Sequence, residues 1–193
     1  MVRTLIAAAT AAVLVACGGG SGGDDGGSPI GPLSKYAGTY SFCDGAEKVT
    51  MVVTVASGGN EGTLRQQSEY FAVRGCTGAV VGLETYTNDV SLRYLSTGPA
   101  TVTGYPASNS VATFTVDRFR ASTPGGTAVV TGTGVSTAGG QTCISHGAGR
   151  TCLGSLSQSA GQIDVGFFFT DLALVTVEAT ATGYERDLAF PRP

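Results

Sequence analysis

The sequence predicts an all-β fold: a single antiparallel β-barrel or sandwich that follows an N-terminal signal helix and a Gly-rich linker. Apolar and β-branched residues alternate at a period of two, as in the segment 49–55, which reads VTMVVTV. Turn signals rich in Gly, Pro and Asn separate such segments. No segment after residue 17 keeps a helical period over three turns, so strands must form the domain.

The first element is an export signal. Arg3 precedes an apolar run that closes on Leu14-Val15-Ala16-Cys17-Gly18. This ending resembles the lipobox of bacterial lipoproteins, in which Leu and Ala lie three and one residues before an invariant Cys. The resemblance implies that residues 1–16 are a signal peptide, cleaved before Cys17. It also implies that Cys17 carries a diacylglyceryl thioether and an acyl chain such as palmitate.

Two other interpretations of the same segment are open. The apolar run could begin a transmembrane anchor, but a spanning helix needs about 20 apolar residues and three Gly residues end this run early. A cleaved signal without lipid would leave Cys17 as a fifth thiol in an oxidising compartment. We therefore expect a lipoprotein that is attached to the membrane through lipid on Cys17.

The second element, residues 17–32, is the lipidated Cys and a flexible linker. Its Gly and Ser residues carry no apolar side chain to bury, and Gly-rich chains behave as flexible coil. Gly rather than Asp follows Cys17; in enterobacterial lipoproteins an Asp there favours inner-membrane retention. The resemblance therefore implies a lipid-anchored protein of the cell envelope, in the outer membrane.

The third element is one β domain, residues 33–193. The pattern predicts strands at 38–43, 49–55, 63–74, 79–86, 90–96, 100–104, 111–120, 127–135, 140–145, 150–156, 162–170, 172–180 and 183–190. Turns are expected at Thr97-Gly98-Pro99, 106–109, 124–126 and Gly139-Gly140. One helical turn is the most that 153–158 would form. In strand 162–170 we expect one face to lie in the core and Asp164 to lie outside; the core face is Ile163, Val165, Phe167 and Phe169.

Charge excludes one class of partner. The chain has 11 Lys and Arg residues against 14 Asp and Glu residues, a formal net charge of −3, with no basic cluster. Nucleic-acid binding requires a basic stripe that displaces counterions from phosphate, so nucleic acid is not an expected partner.

Four Cys residues follow the lipobox, and an even number in an exported protein predicts disulfides. We favour Cys43–Cys76, which would join a strand end to a returning strand, and Cys143–Cys152, which would close a hairpin. The nested alternative pairs Cys43 with Cys152 and Cys76 with Cys143.

No catalytic residue, metal ligand or cofactor is predicted, and the protein is not expected to be an enzyme. The segment 143–152, CISHGAGRTC, holds the single His of the chain, but its spacing matches no common zinc pattern. We interpret it as an exposed hairpin tip closed by a disulfide. The carboxylates of Asp44, Glu47, Asp164 and Asp171 form no recognisable acid–base pair in the sequence.

Gly38-Thr39-Tyr40 resembles the G-x-W that opens the first strand of lipocalin-type barrels, with Tyr in place of Trp. Two functions follow as expectations. The first is an envelope lipoprotein with a structural or interaction β domain whose partner is an envelope protein. The alternative is a lipocalin-like binder of a small apolar ligand, which would require a continuous apolar cavity of roughly 300 Å³ or more.

Overall fold

The computed structural model describes residues 31–192, and strands make up 71% of them. The all-β prediction is confirmed. A short 3₁₀ helix, Pro32–Tyr36, precedes the strands. The strands are β1 (Gly38–Asp44), β2 (Glu47–Val55), β3 (Glu61–Val73), β4 (Thr77–Tyr86), β5 (Val90–Thr103), β6 (Val111–Thr123), β7 (Gly126–Thr131), β8 (Val135–Ala138), β9 (Gln141–His146), β10 (Gly149–Leu153), β11 (Ser157–Gln158), β12 (Gly161–Phe169), β13 (Ala173–Thr180) and β14 (Gly183–Pro191).

The strands of the described residues form one sheet of eleven strands and one of three. In the larger sheet β3 pairs with β2, β4 and β5, and β1 continues from β2. The pairings β5–β6, β6–β12, β12–β13, β13–β14 and β14–β5 form a closed circuit. The last of these is parallel, whereas the other four are antiparallel. The small sheet, β8–β9–β10, packs against β3 and β4.

Three apolar clusters stabilise this arrangement. The main core contains the apolar side chains of the 3₁₀ helix together with inward residues of β1, β2, β5, β6 and β12–β14: Leu33, Tyr36, Tyr40, Val49, Met51, Val53, Leu92, Phe119, Ala121, Phe167, Leu174 and Phe190. The second core lies on the opposite face of β6, β12 and β13 and consists of Ala100, Val102, Val116, Phe168, Ala173, Val175 and Val177. The third core, Tyr70, Ile144 and Leu153, joins the small sheet to β3.

The prediction for β12 is confirmed only in part. Phe167 is buried in the main core, with Val165 and Phe169 packed against it. Ile163 is 50% exposed, so its predicted burial is wrong. Phe168, on the predicted outer face, is buried in the second core, because β12 separates two clusters and has apolar neighbours on both faces.

A predicted turn at Thr97-Gly98-Pro99 is wrong, because β5 runs without interruption from Val90 to Thr103. β5 pairs with β6 along nearly its whole length, but with β3 only at residues 90–93 and with β14 only at 102–103. The middle of β5 is therefore an edge on one side. Pro has no N–H to donate, and such an edge tolerates it.

The prediction of one strand at 127–135 is also wrong. The chain bends between β7 and β8 at Gly132, which has a φ of 131°. A Cβ at Gly132 would lie 2.3 Å from the carbonyl oxygen of Val81, so only Gly fits this approach. The residues 153–158, considered for one helical turn, instead contain the end of β10 and the short strand β11.

Candidate functional site

The structure tests four of the five predicted Cys residues. Cys17, the predicted lipidation site, lies outside the described residues. The disulfides Cys43–Cys76 and Cys143–Cys152 are both formed, which confirms the favoured pairing over the nested one. Cys43 lies near the end of β1, and Cys143 is directly opposite Cys152 in the β9–β10 hairpin.

The hairpin around His146 is confirmed, but its exposed position is not. His146 is half-buried, and its ring lies 5.5 Å from the ring of Tyr70, measured between centroids. Its Nε2 is 2.9 Å from the hydroxyl oxygen of Thr151, and its Nδ1 accepts a hydrogen bond from the backbone N–H of Ala148. The hairpin is therefore packed on β3 rather than projecting into solvent.

Beneath this hairpin Tyr70 forms a buried polar contact. Its hydroxyl donates a hydrogen bond of 3.1 Å to Oε2 of Glu84. Burial, followed by the nearby charges of Glu47 and Glu84, raises the pKa of Tyr70 above its usual range. The phenol stays protonated and acts as a donor, so this cluster fixes the hairpin to β3 and β4.

Of the other predicted carboxylates, Asp44 and Glu47 face each other across the β1–β2 pair, and Asp164 and Asp171 lie on or beside β12. Asp44 ends β1, Glu47 begins β2, and Asp171 lies in the turn between β12 and β13. Asp164 accepts a hydrogen bond of 2.5 Å from Nε of Arg120. Across residues 31–192 no group of three or more His, Cys, Asp or Glu side chains could hold a metal ion. In the same range no helix is long and apolar enough to cross a membrane.

The carboxylate of Asp117, which no sequence pattern indicates, is buried and only 2% exposed. It accepts hydrogen bonds from the hydroxyl of Tyr36 at 2.6 Å and from the hydroxyl of Thr97, and its Oδ2 lies 2.7 Å from Nζ of Lys35. Burial alone would raise the pKa of Asp117, but these hydrogen bonds and the Lys35 charge lower it below its ordinary value. An ionised Asp117 thus binds the 3₁₀ helix to β6.

A second carboxylate that no sequence pattern indicates is Asp187 in β14. The register of β13 and β14 shifts here, since Arg186 pairs with Val177 and Leu188 with Thr176. Asp187 is the unpaired residue of this β-bulge. Its Oδ2 accepts a hydrogen bond of 3.3 Å from Thr176. Burial and the charge of Glu178 raise the pKa of Asp187 to about 6.

A polar groove lies on the outer surface of β3, β5, β6 and β12, and we name it the Arg93 groove. It consists of two adjoining depressions of about 430 and 350 Å³ that share Arg120 and Gln162. The first row of side chains across these strands is Glu61, Arg93, Arg120 and Asp164. The second row, two residues along each strand, is Thr63, Ser91, Ser122 and Gln162.

Buried side chains pack closely against one another in the main core. Leu33, Phe119 and Phe190 are completely buried in the main core, and Tyr36 is 1% exposed. The Tyr36 ring stacks on Phe169 at 5.1 Å and meets Phe167 edge-on at 5.5 Å. The apolar cavity that the lipocalin-like alternative requires receives no support from this packing.

Comparisons with protein-family models, with curated proteins and with solved structures found no match for this chain.

Proposed function

We propose that the chain is an envelope lipoprotein, anchored in the outer membrane through lipid on Cys17, whose β domain has a structural or interaction role. The observation that carries this proposal is the pair of formed disulfides. Disulfides persist in exported proteins and are rare in the cytosol. They use four of the five Cys residues in the chain, and lipidation of Cys17 accounts for the fifth.

The outer surface supports the interaction role. The Arg93 groove presents guanidinium, carboxylate, amide and hydroxyl groups to solvent across four strands. A rigid sheet holds these groups, since each belongs to a paired strand or to the turn beside it. A tethered domain with such a surface can bind a partner without rearranging its backbone.

The anchor is tested by Cys17→Ser in the full chain, expressed in a bacterial host fed with labelled palmitate. We expect the label to be lost and the protein to move from the membrane fraction to the soluble envelope fraction, because the acyl chains need the sulfur and the new amine of Cys17. Ser21→Ala, four residues along, is the matched control and should keep the label. Palmitate labelling of the Cys17→Ser protein would contradict the proposal.

A further inference from the structure

Two carboxylates converge on the hydroxyl of Tyr70, where the small sheet packs on β3 and β4. This hydroxyl donates its proton to Oε2 of Glu84 on β4. The carboxylate of Glu47, directly opposite Tyr70 on β2, interacts with the same hydroxyl. A phenol has a single proton, so it can donate to only one of the two carboxylates at a time.

The described residues provide no cation that pairs with Glu47. Lys48 is the next residue in β2, but alternation along the strand places it on the other face of the sheet, where it forms an ion pair with Glu69. Glu47 is in none of the ion pairs formed within residues 31–192. Its carboxylate therefore lies close to that of Glu84 without a neutralising side chain of its own.

The hairpin that covers Tyr70 adds no positive charge towards the two carboxylates. Nδ1 of His146 accepts a hydrogen bond from a backbone N–H, so the imidazole beside Tyr70 is neutral. Arg150 is exposed, and alternation in β10 places it on the face opposite to Leu153, which is buried in the third core. Arg74 lies beyond the end of β3, in an exposed turn.

A buried hydroxyl without a partner lies beside the two carboxylates. Ser68 is 8% exposed, and its side chain forms no hydrogen bond with any of the described residues. It shares a face of β3 with Tyr70 and is directly opposite Glu84 on β4. Opposite residues of an antiparallel pair have Cβ atoms about 5 Å apart, so this hydroxyl and the Glu84 side chain occupy the same space. Because buried hydroxyl groups are normally paired, the unpaired one indicates a ligand.

The chemistry of these groups favours a hard divalent cation. Carboxylate and hydroxyl oxygens are ligands of Ca²⁺, which accepts irregular coordination completed by water. Mg²⁺ requires near-octahedral geometry and loses its water reluctantly, so it fits a site on three rigid strands less well. A cation between Glu47 and Glu84 also offsets the repulsion of two carboxylates that share one phenol proton.

We propose that Glu47 and Glu84 bind one Ca²⁺ ion, with the hydroxyl of Ser68 as a further ligand and water completing the coordination. This donor set has two carboxylates and a hydroxyl, and it is distinct from a group of three or more acidic, His or Cys side chains. The site goes beyond the proposed lipoprotein role and does not depend on the lipid anchor, since its residues all belong to the β domain.

The test uses the full chain with Cys17→Ser, which is free of lipid, after treatment with a chelator. Calorimetric titration with CaCl₂ should show one site with a dissociation constant of about 0.1–1 mM, and MgCl₂ should bind at least about tenfold more weakly. Because the ion binds the folded chain, about 10 mM Ca²⁺ should also raise the midpoint of thermal unfolding. The absence of binding at about 10 mM Ca²⁺, or equal affinity for Mg²⁺, would overturn the proposal.

Three added substitutions locate the site. Glu47→Gln should weaken Ca²⁺ binding by about tenfold or more, and Ser68→Ala by about threefold, because affinity follows the charge and number of the ligands. In chelator, Glu47→Gln should be at least as stable as the parent, since the amide removes a repulsion; a merely structural role for Glu47 predicts a loss instead. Glu69→Gln, between Ser68 and Tyr70 but on the other face of β3, is the matched control and should bind as the parent does.

Two results with these variants would contradict the site. One is Ca²⁺ binding to Glu47→Gln with the affinity of the parent, and the other is an equal loss of binding in Glu69→Gln. Palmitate labelling of the chain with Cys17 intact tests the anchor separately, so failure of the cation site and failure of the lipoprotein proposal are distinguishable.

Discussion

Asp187 shows how one residue can give the fold a dependence on pH. Its carboxyl is half-buried in a β-bulge with Glu178 nearby, and the hydrogen bond from Thr176 does not offset these effects on its pKa. The pKa of about 6 in the folded state lies above the ordinary value of 3.8. The folded protein therefore holds this proton more tightly than the unfolded chain. Stability from this group is present below pH 4 and is lost as the pH rises through about 6.

We predict that Asp187→Asn raises the free energy of unfolding at pH 8 by about 1–3 kcal/mol, because the amide avoids the burial of a charge. The gain should shrink as the pH falls from about 6 towards 4, where the parent Asp187 is itself neutral. Urea unfolding across this pH range measures the effect. Asp171→Asn, at an exposed turn, is the control and should follow the parent curve. A parent protein that is more stable than Asp187→Asn at pH 8 would contradict this account.

Contacts between residues that are close in the sequence could be predicted, whereas contacts between distant residues could not. The Cys143–Cys152 bridge joins residues nine apart in one hairpin, so local pattern is sufficient to predict it. The contact between Tyr36 and Asp117 spans 81 residues. This contact forms only when the 3₁₀ helix packs against β6. Nothing near Asp117 in the sequence indicates that its side chain is buried.

At the scale of elements, strand pairing determines whether turn residues in the sequence end a strand. Gly98 and Pro99 are strong turn residues, yet β5 continues through them since that stretch pairs on one side only, with β6. The 3₁₀ helix was not predicted, although Pro32 at its first turn and the spacing of Leu33 and Tyr36 are signals for it. Strands that are distant in the sequence cover these two side chains. The local pattern alone is therefore only a weak indication of the helix.

The β9–β10 hairpin should depend on one close backbone approach. Gly147 donates its N–H to the carbonyl of Phe71 at 2.8 Å, and a Cβ there would lie 2.6 Å from backbone atoms of Ala72 and Val73. We predict that Gly147→Ala lowers the free energy of unfolding by about 2–4 kcal/mol, because backbone atoms cannot move aside as a flexible side chain can. Urea unfolding gives the value, and hydrogen exchange at β9 and β10 shows whether the hairpin has separated from β3.

Gly154→Ala is the matched control for this substitution. Gly154 follows β10 directly, and a Cβ there would meet nothing within 4 Å. Its effect should stay within about 0.5 kcal/mol of the parent. Equal stabilities for the Gly147 and Gly154 variants would show that the hairpin is not held by this contact.

On the scale of the whole molecule, strand content was predictable and strand order was not. Alternation of apolar residues is a local property, so most strands were found near their true bounds. The circuit through β5, β6, β12, β13 and β14 depends on pairings between distant segments, including the parallel contact of Tyr184 with Val102. The choice between barrel and sandwich therefore had no basis in local pattern. The described residues form three apolar clusters.

The 3₁₀ helix connects the start of the described chain to the main core. Gly31 and Leu33 donate their N–H groups to Gly58 and Gly59, in the turn between β2 and β3. At the other end of the helix, the Tyr36 ring contacts Phe167 of β12 and the Tyr36 hydroxyl donates a hydrogen bond to Asp117 of β6. The helix is thus an integral part of the main core, although the sequence pattern assigned Gly31 and Pro32 to the linker.

This position leads to a prediction about where the folding unit begins. A chain that starts at Gly31 keeps Leu33, Tyr36 and the ion pair of Lys35 with Asp117, whereas a chain that starts at Ala37 loses all three. Loss of a buried Leu and a buried aromatic side chain costs about 2–5 kcal/mol each, which together approach the whole stability of an ordinary domain. It also leaves Asp117 buried without its cation. We expect the chain from Gly31 to unfold in one cooperative thermal transition and the chain from Ala37 to show none, by circular dichroism in the near ultraviolet. A cooperative transition of the Ala37 chain at the same temperature would show that the strands form their core without the helix.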